Sequence, residues 1–202
     1  MRPSPLPAAE APRGERRSAG DRSTRTAILD ATEQILRDDG YAAISSRRIG
    51  LAAGLKSQLV HYHFKTMDEL FLAVFRRVEE RHFERLAQAI AAPRPLRSLW
   101  TLSIDSAAPR LTKEFIAMAS HREALRHEIA RSAERTRGIF RAALARALDD
   151  RGLDAGDWSP MALAVLMDGA ARVILSDRAM GSTCGHVETI DFIERQLARI
   201  EA

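Results

Sequence analysis

The residues best suited to chemistry form a short polar run in the first third of the chain. Lys56, Ser57 and Gln58 are consecutive, and His61 and Tyr62 follow one helical turn later. A lysine can donate to guanine O6 and N7 or to a phosphate, and a glutamine amide can pair with adenine N6 and N7. These side chains are therefore suited to contacts with DNA bases and phosphates.

The spacing around this run predicts a helix-turn-helix. Gly50 supplies a small residue where two short helices must cross closely, and Gly54 supplies the turn between them. We expect helices over residues 46–52 and about 56–63, with a shared core of four apolar side chains: Ile49, Leu55, Val60 and Phe64. The same spacing also fits an αα-hairpin with no role in DNA binding.

The rest of the chain predicts an all-α fold of about nine helices. Apolar residues recur at helical spacing, and only 5% of the residues are aromatic. Outside the motif, the predicted helices cover residues 24–39, 66–90, 96–104, 111–119, 120–151, 160–180 and 186–201. Expected helix-end signals are capping boxes at Thr66–Glu69 and Ser120–Glu123, an N-cap at Ser159 before Pro160, and glycines at positions 152 and 181.

The net charge of +4 lies entirely in the first 65 residues. They hold 11 Lys and Arg against 7 Asp and Glu, whereas residues 66–202 hold 20 of each. A basic module on a neutral body is typical of nucleic-acid binding, although a solvated basic arm has the same composition. We expect a disordered Pro-rich basic arm over residues 1–21 and a helix-turn-helix domain over 22–65. A helical regulatory and dimerisation domain, called the body below, is expected over 66–202.

Residues 25–70 resemble the N-terminal domain of TetR-family transcriptional regulators. The resemblance rests on Gly40-Tyr41 after the first helix, Ile49-Gly50, Ala53-Gly54-Leu55, His63-Phe64, and Asp68-Glu69-Leu70. Beyond this segment the likeness is one of helix order and length. Two positions depart from the usual pattern, because His61 stands where the family has tyrosine and Met67 where it has lysine. These departures weaken phosphate contacts, and His61 can still donate to a phosphate.

The resemblance implies how the motif meets double-stranded DNA. The first helix of the motif would approach the phosphate backbone, and the second would face the major groove. The implied DNA-binding residues are Ser45, Ser46, Arg47, Lys56, Ser57, Gln58, His61, Tyr62 and Lys65.

The resemblance also implies that the body forms a homodimer and senses a small molecule. The helix at 160–180 is apolar on every side, which suits packing against a partner as well as against its own domain. The expected interface residues are Val165, Ala170, Val173, Ile174, Ile190, Ile193 and Leu197. Burial of this helix inside one monomer is the alternative.

The candidate ligand contacts are residues of the body helices, chosen by position. They are Trp100, Ser103, Phe115, Met118, His121, Phe140, Met167 and Asp168. Each also fits ordinary core packing or a solvent-facing role, and an ion pair with Arg172 would explain Asp168 without a ligand.

Together, the motif and the resemblance predict a transcriptional regulator. We expect a repressor that binds a palindromic operator and that a small, largely apolar ligand releases from it. An alternative is a helical-bundle metal enzyme, suggested by Glu79 and His82, but a di-iron site needs two such motifs. A protein-binding scaffold is the other alternative. We expect no enzyme activity and no cofactor, and a cytoplasmic location because the N-terminus lacks an apolar signal region and Cys184 has no partner cysteine.

Overall fold

The computed structural model describes residues 13–104, 109–152 and 159–201. Within these ranges the chain contains nine α-helices, one 3₁₀ turn and no strand, which confirms the predicted all-α fold. The helices are α1 (Arg13–Asp38), α2 (Ser46–Ala52), α3 (Ser57–His63), α4 (Met67–Ile90), α5 (Pro95–Ile104), α6 (Pro109–Ala119), α7 (Glu123–Asp150), α8 (Pro160–Met180) and α9 (His186–Glu201); the 3₁₀ turn is Tyr41–Ala43.

The chain divides into two compact units, Met1–Leu70 and Phe71–Ala202. The helix α1 begins at Arg13 rather than at residue 24, so residues 13–21 of the predicted arm are helical, and residues 1–12 lie outside the described residues. The prolines of the arm end at Pro12, which leaves the following backbone free to hydrogen-bond as a helix. The Thr24 hydroxyl donates to the Gly20 carbonyl at 2.9 Å, as expected within a continuous helix.

The first unit has a small apolar core built from α1, α2 and α3. Ile28 and Leu36 of α1 are fully buried, as are Ile49 and Val60 of the motif. Phe64, at the end of α3, is buried beneath the Arg25 guanidinium, which lies 4.9 Å from the ring centroid. Three of the four predicted core side chains of the motif are therefore confirmed, and Leu55 is half-buried.

The helices α2 and α3 cross at Gly50 with no room for a side chain. A Cβ atom at this position would lie 2.9 Å from the Leu55 carbonyl oxygen and 3.1 Å from the Ser57 backbone nitrogen. The Leu55 N–H donates to the Gly50 carbonyl at 2.8 Å and closes the turn. Gly54 has a φ of 67°, a left-handed conformation that favours glycine. Both glycine predictions are confirmed.

The second unit packs around α5, α7 and α8. Its buried core joins Leu99 and Trp100 of α5 to Phe140 and Leu144 of α7. The α8 helix adds the buried residues Ala164, Met167, Ala171 and Ile174, and α9 adds Leu197. Because the α8 residues recur every three or four positions, one face of α8 lies in the core of the second unit.

Most of the predicted helix-end signals are confirmed, and one is wrong. The Ser159 hydroxyl accepts from the Ala162 N–H at 3.0 Å, and Gly152 and Gly181 both have positive φ. The Ser120–Glu123 capping box is wrong, because Arg122 is the N-cap of α7 and its side chain makes no cap among the described atoms. The Ser120 hydroxyl instead donates to the Ala117 carbonyl at 2.6 Å, at the end of α6.

We predict that Gly50→Val lowers the free energy of unfolding by about 1–3 kcal/mol, because the added atoms press on backbone rather than on a movable side chain. Urea denaturation measures the change. Gly138→Ala is the control, since a Cβ at that helical position meets no described atom within 4 Å; it should raise stability by about 0.5–1 kcal/mol. Equal stability of Gly50→Val and the wild type would contradict the close crossing.

Candidate functional site

The predicted base-reading side chains share one exposed face of α3. Ser57, Gln58, His61 and Tyr62 are exposed, whereas Val60 on the opposite face is buried. Tyr62 is 73% exposed, so its ring is accessible to a partner rather than packed into the domain. Positions 57, 58, 61 and 62 are spaced by one turn, which is the spacing that lines a single helical face.

Lys56 and Arg47 supply exposed positive charge beside this face. Lys56 is the N-cap residue of α3, and its side chain makes no capping bond to the residues that the structure describes. Arg47, in the first turn of α2, is exposed and has no ion-pair partner within the described ranges. Both cations are thus available to phosphates or bases.

Ser45 and Ser46 are placed differently from each other. The Ser45 hydroxyl accepts from the Arg48 N–H at 3.2 Å and caps α2, so this side chain has a structural role in addition to any backbone contact. Ser46 is the first residue of α2 and is half-buried. Arg48, which the sequence analysis did not select, pairs with Asp39 at 2.7 Å and connects α2 to the segment after α1.

The link into α4 fixes the position of Lys65. The Lys65 N–H donates to a Glu69 carboxylate oxygen at 2.9 Å, and the Thr66 hydroxyl accepts from the Glu69 N–H at 3.1 Å. The second of these bonds confirms the Thr66 cap, and it uses the Glu69 N–H within the protein. The neighbouring His63 has a buried side chain 3.6 Å from Asp21, which explains it without a DNA contact.

Comparisons with known proteins agree with this geometry. Residues 28–74 match the sequence model of the bacterial regulatory proteins, tetR family. The chain is 29% identical over 152 residues to the HTH-type transcriptional regulator CymR of Pseudomonas putida, covering 71% of this chain and 75% of that protein.

Two solved structures show the same fold. A TetR transcription regulator from Haloarcula marismortui ATCC 43049 superimposes with a TM-score of 0.71 at 21% identity, covering 88% of this chain and 97% of that one. A transcriptional regulator from Saccharomonospora viridis, crystallised in complex with choline, gives a TM-score of 0.69 at 18% identity, covering 88% and 95%.

The exposed face of α3, the crossing at Gly50 and the helical body together define a helix-turn-helix transcriptional regulator that binds DNA. Residues 28–74 match the TetR family, and the chain as a whole is similar to regulators of that family. The family resemblance stated from residues 25–70 is confirmed.

The structure brings together three of the predicted ligand residues. Trp100, Phe140 and Met167 are buried in one apolar cluster of the second unit. Phe115 and Met118 of α6 are also buried, and the Phe115 ring contacts Phe75 of α4 edge-on at 5.2 Å.

The polar residues predicted to contact the ligand bond to other protein groups or face solvent instead of joining the apolar cluster. The Ser103 hydroxyl donates to the Leu99 carbonyl within α5 at 2.9 Å, and His121 is exposed in the turn after α6. Asp168 pairs with Arg172 at 3.1 Å, as the spacing predicts, and with Arg137 of α7 at 3.2 Å. These pairs explain why an acidic residue interrupts an apolar helix.

The predicted interface residues divide into three groups by exposure. Val165 and Val173 point outwards from α8. Ala170, Ile190 and Ile193 are half-buried against the core of the second unit. Ile174 and Leu197 are 2% and 3% exposed, so these two belong to that core rather than to a surface.

A buried charge network between α4 and α7 was not predicted from the sequence. Glu128 is almost fully buried, and its carboxylate accepts from the Arg76 guanidinium at 2.5 and 3.1 Å and from Arg131. Arg76 lies 52 residues away in sequence, so local spacing could not pair them. The position of Glu128 three residues after Leu125, on the core-facing side of α7, could have indicated that its carboxylate is buried.

The metal-enzyme alternative gains no support. Within residues 13–104, 109–152 and 159–201, no group of three His, Cys, Asp or Glu side chains is placed to hold a metal ion. Burial lowers the pKa of His82, and the neighbouring Arg85 lowers it further, so this imidazole is neutral at pH 7 for reasons unrelated to a metal. None of the described helices is long and apolar enough to cross a bilayer.

We predict that Lys56→Ala and Gln58→Ala each weaken binding to the cognate sequence by about 1–3 kcal/mol and reduce discrimination at one base pair. Arg47→Ala should weaken binding to all sequences similarly, because a phosphate contact carries no base information. Fluorescence anisotropy on cognate and scrambled duplexes separates the two effects. A uniform loss across sequences for all three variants would contradict these roles.

Proposed function

We propose that the chain acts in the cytoplasm as a homodimeric repressor that binds a palindromic operator and is released by a small, largely apolar ligand. The observation that carries this proposal is the second face of α8. Met161, Val165, Leu166 and Val173 are exposed on α8, and Val187 and Phe192 are exposed on α9. Val173 is 58% exposed and Phe192 57%, although both are apolar.

Covering this face requires an apolar partner surface. An exposed apolar patch on a helix whose opposite side is already buried favours association, because burial removes that surface from water. A second copy of the chain presents the same patch, and a two-fold axis would pair α8 and α9 of each protomer into a four-helix interface. Gly169, exposed between Val165 and Val173, would allow close approach of the two backbones.

A two-fold dimer would carry two copies of the α3 face. Two such faces reach successive major grooves when they are about 34 Å, or a multiple of it, apart. Because the dimer axis relates the two motifs by rotation, the DNA sequence they read would be an inverted repeat. This is the basis of the palindromic operator in the proposal.

Ligand release rests on the apolar interior of the body. The cluster of Trp100, Phe140 and Met167 lies among α5, α7 and α8, and pockets between bundle helices are typically apolar with few polar anchors. The similar Saccharomonospora viridis structure holds choline, which shows that a protein of this fold can take a small molecule. A ligand can shift the DNA affinity only through its differential affinity for the two states, typically about 5- to 150-fold.

We predict that Val165→Glu combined with Val173→Glu converts the dimer to monomers at micromolar concentration, because the interface would bury two like pairs of carboxylates. Operator affinity should fall with dimer loss, since one motif then binds alone. Light scattering gives the mass, and a mobility shift gives the affinity.

Ala142→Glu is the matched control, because Ala142 is exposed on α7 rather than on α8 or α9. The control should remain dimeric with wild-type operator affinity. Ile174→Glu is unsuitable as a test, because the buried side chain would disrupt the core instead. A monomeric wild type that binds the operator fully would refute the dimer.

A further inference from the structure

The most unusual atom in the core of the body is the indole nitrogen of Trp100. The side chain is fully buried, and Nε1 has no hydrogen-bond partner in the part of the chain that the structure describes. An indole N–H can donate but cannot accept, so it needs an acceptor from elsewhere. A buried donor without an acceptor destabilises the protein, and each such case calls for a physical reason.

None of the described atoms around Trp100 accepts from its indole N–H. Its cluster consists of aliphatic side chains with Phe140 and Met167, and the thioether of Met167 is only a weak acceptor. The Ser103 hydroxyl donates to the Leu99 carbonyl, and its oxygen makes no hydrogen bond to Trp100 Nε1. The helix α5 packs against α7, α8 and α9, so the donor lies where three other helices converge.

We propose that Trp100 Nε1–H anchors the effector, and that the effector carries one neutral hydrogen-bond acceptor, such as a carbonyl oxygen, on a small apolar body. This inference rests on the proposed ligand response. It narrows the ligand class, because an apolar compound without an acceptor would leave the indole donor unpaired.

The acceptor is neutral because the cluster lacks a countercharge. All its buried members are apolar, and Arg137, a cation of the adjoining α7, already pairs with Asp168 at 3.2 Å. Placing a carboxylate in such surroundings without a partner is strongly unfavourable. A carbonyl oxygen gains the hydrogen bond without that desolvation cost.

The test compares two ligands of nearly identical shape on the full-length protein. Acetophenone carries a carbonyl oxygen, and α-methylstyrene replaces that oxygen with a methylene group. We expect the wild type to bind acetophenone about tenfold more tightly by titration calorimetry. Trp100→Phe, which keeps an aromatic ring and removes the N–H, should abolish that preference.

Trp158→Phe identifies the Trp100 indole signal, because the chain has 2 tryptophans and this substitution removes the other one. In the ¹H–¹⁵N spectrum of the wild type, the Trp100 indole signal should move downfield with acetophenone and remain in place with α-methylstyrene. This measurement decides the question even if Trp100→Phe fails to fold.

Three results would contradict the proposal that Trp100 Nε1–H anchors the effector. The first is the same preference for acetophenone over α-methylstyrene in Trp100→Phe as in the wild type. The others are no movement of the Trp100 indole signal, and no binding of acetophenone up to its solubility limit. Operator release by both probes in both proteins would reject the anchor and leave the ligand response intact. Tight, Trp100-dependent binding of acetophenone with unchanged operator affinity would support the anchor and reject the ligand response.

Discussion

The close crossing of α2 and α3 at Gly50 is the constraint on which the DNA-binding unit depends. With the Leu55 carbonyl 2.9 Å from the position of a Cβ atom, the two helices can approach only if residue 50 has no side chain. That approach buries Ile49 and Val60 on the inner side and leaves the polar face of α3 outside. The exposure of Gln58 and its neighbours on the outer face of α3 is therefore a consequence of the packing behind them.

The body combines an apolar core with one buried ionic contact. A carboxylate as buried as that of Glu128 is stable only with nearby cations, and Arg76 and Arg131 both donate to it. Arg76 belongs to α4, which also contributes Phe83, stacked under the Arg135 guanidinium at 3.8 Å. Because both contacts join α4 to α7, the body end of α4 is held by directional interactions as well as by apolar packing.

The sequence predicted the elements whose causes are local. Glycine at the turn and serine before Pro160 each act within a few residues, so they could be recognised directly. What escaped prediction depends on distant residues. The orientation of α8 decides that Ile174 is core while Val173 is exposed, and neighbouring positions on an all-apolar helix cannot be told apart by pattern. The unpaired indole of Trp100 likewise follows only from the packing of four helices.

We propose that two α3 faces, related by a two-fold axis, read the DNA sequence. Selection of bound duplexes from a random pool by the full-length protein tests it most directly, because sequence preference, symmetry and spacing are measured together. A two-fold dimer should select an inverted repeat whose half-site centres lie about 10 base pairs, or a multiple of it, apart. Enrichment of a single half-site, of a direct repeat or of no sequence at all would contradict it.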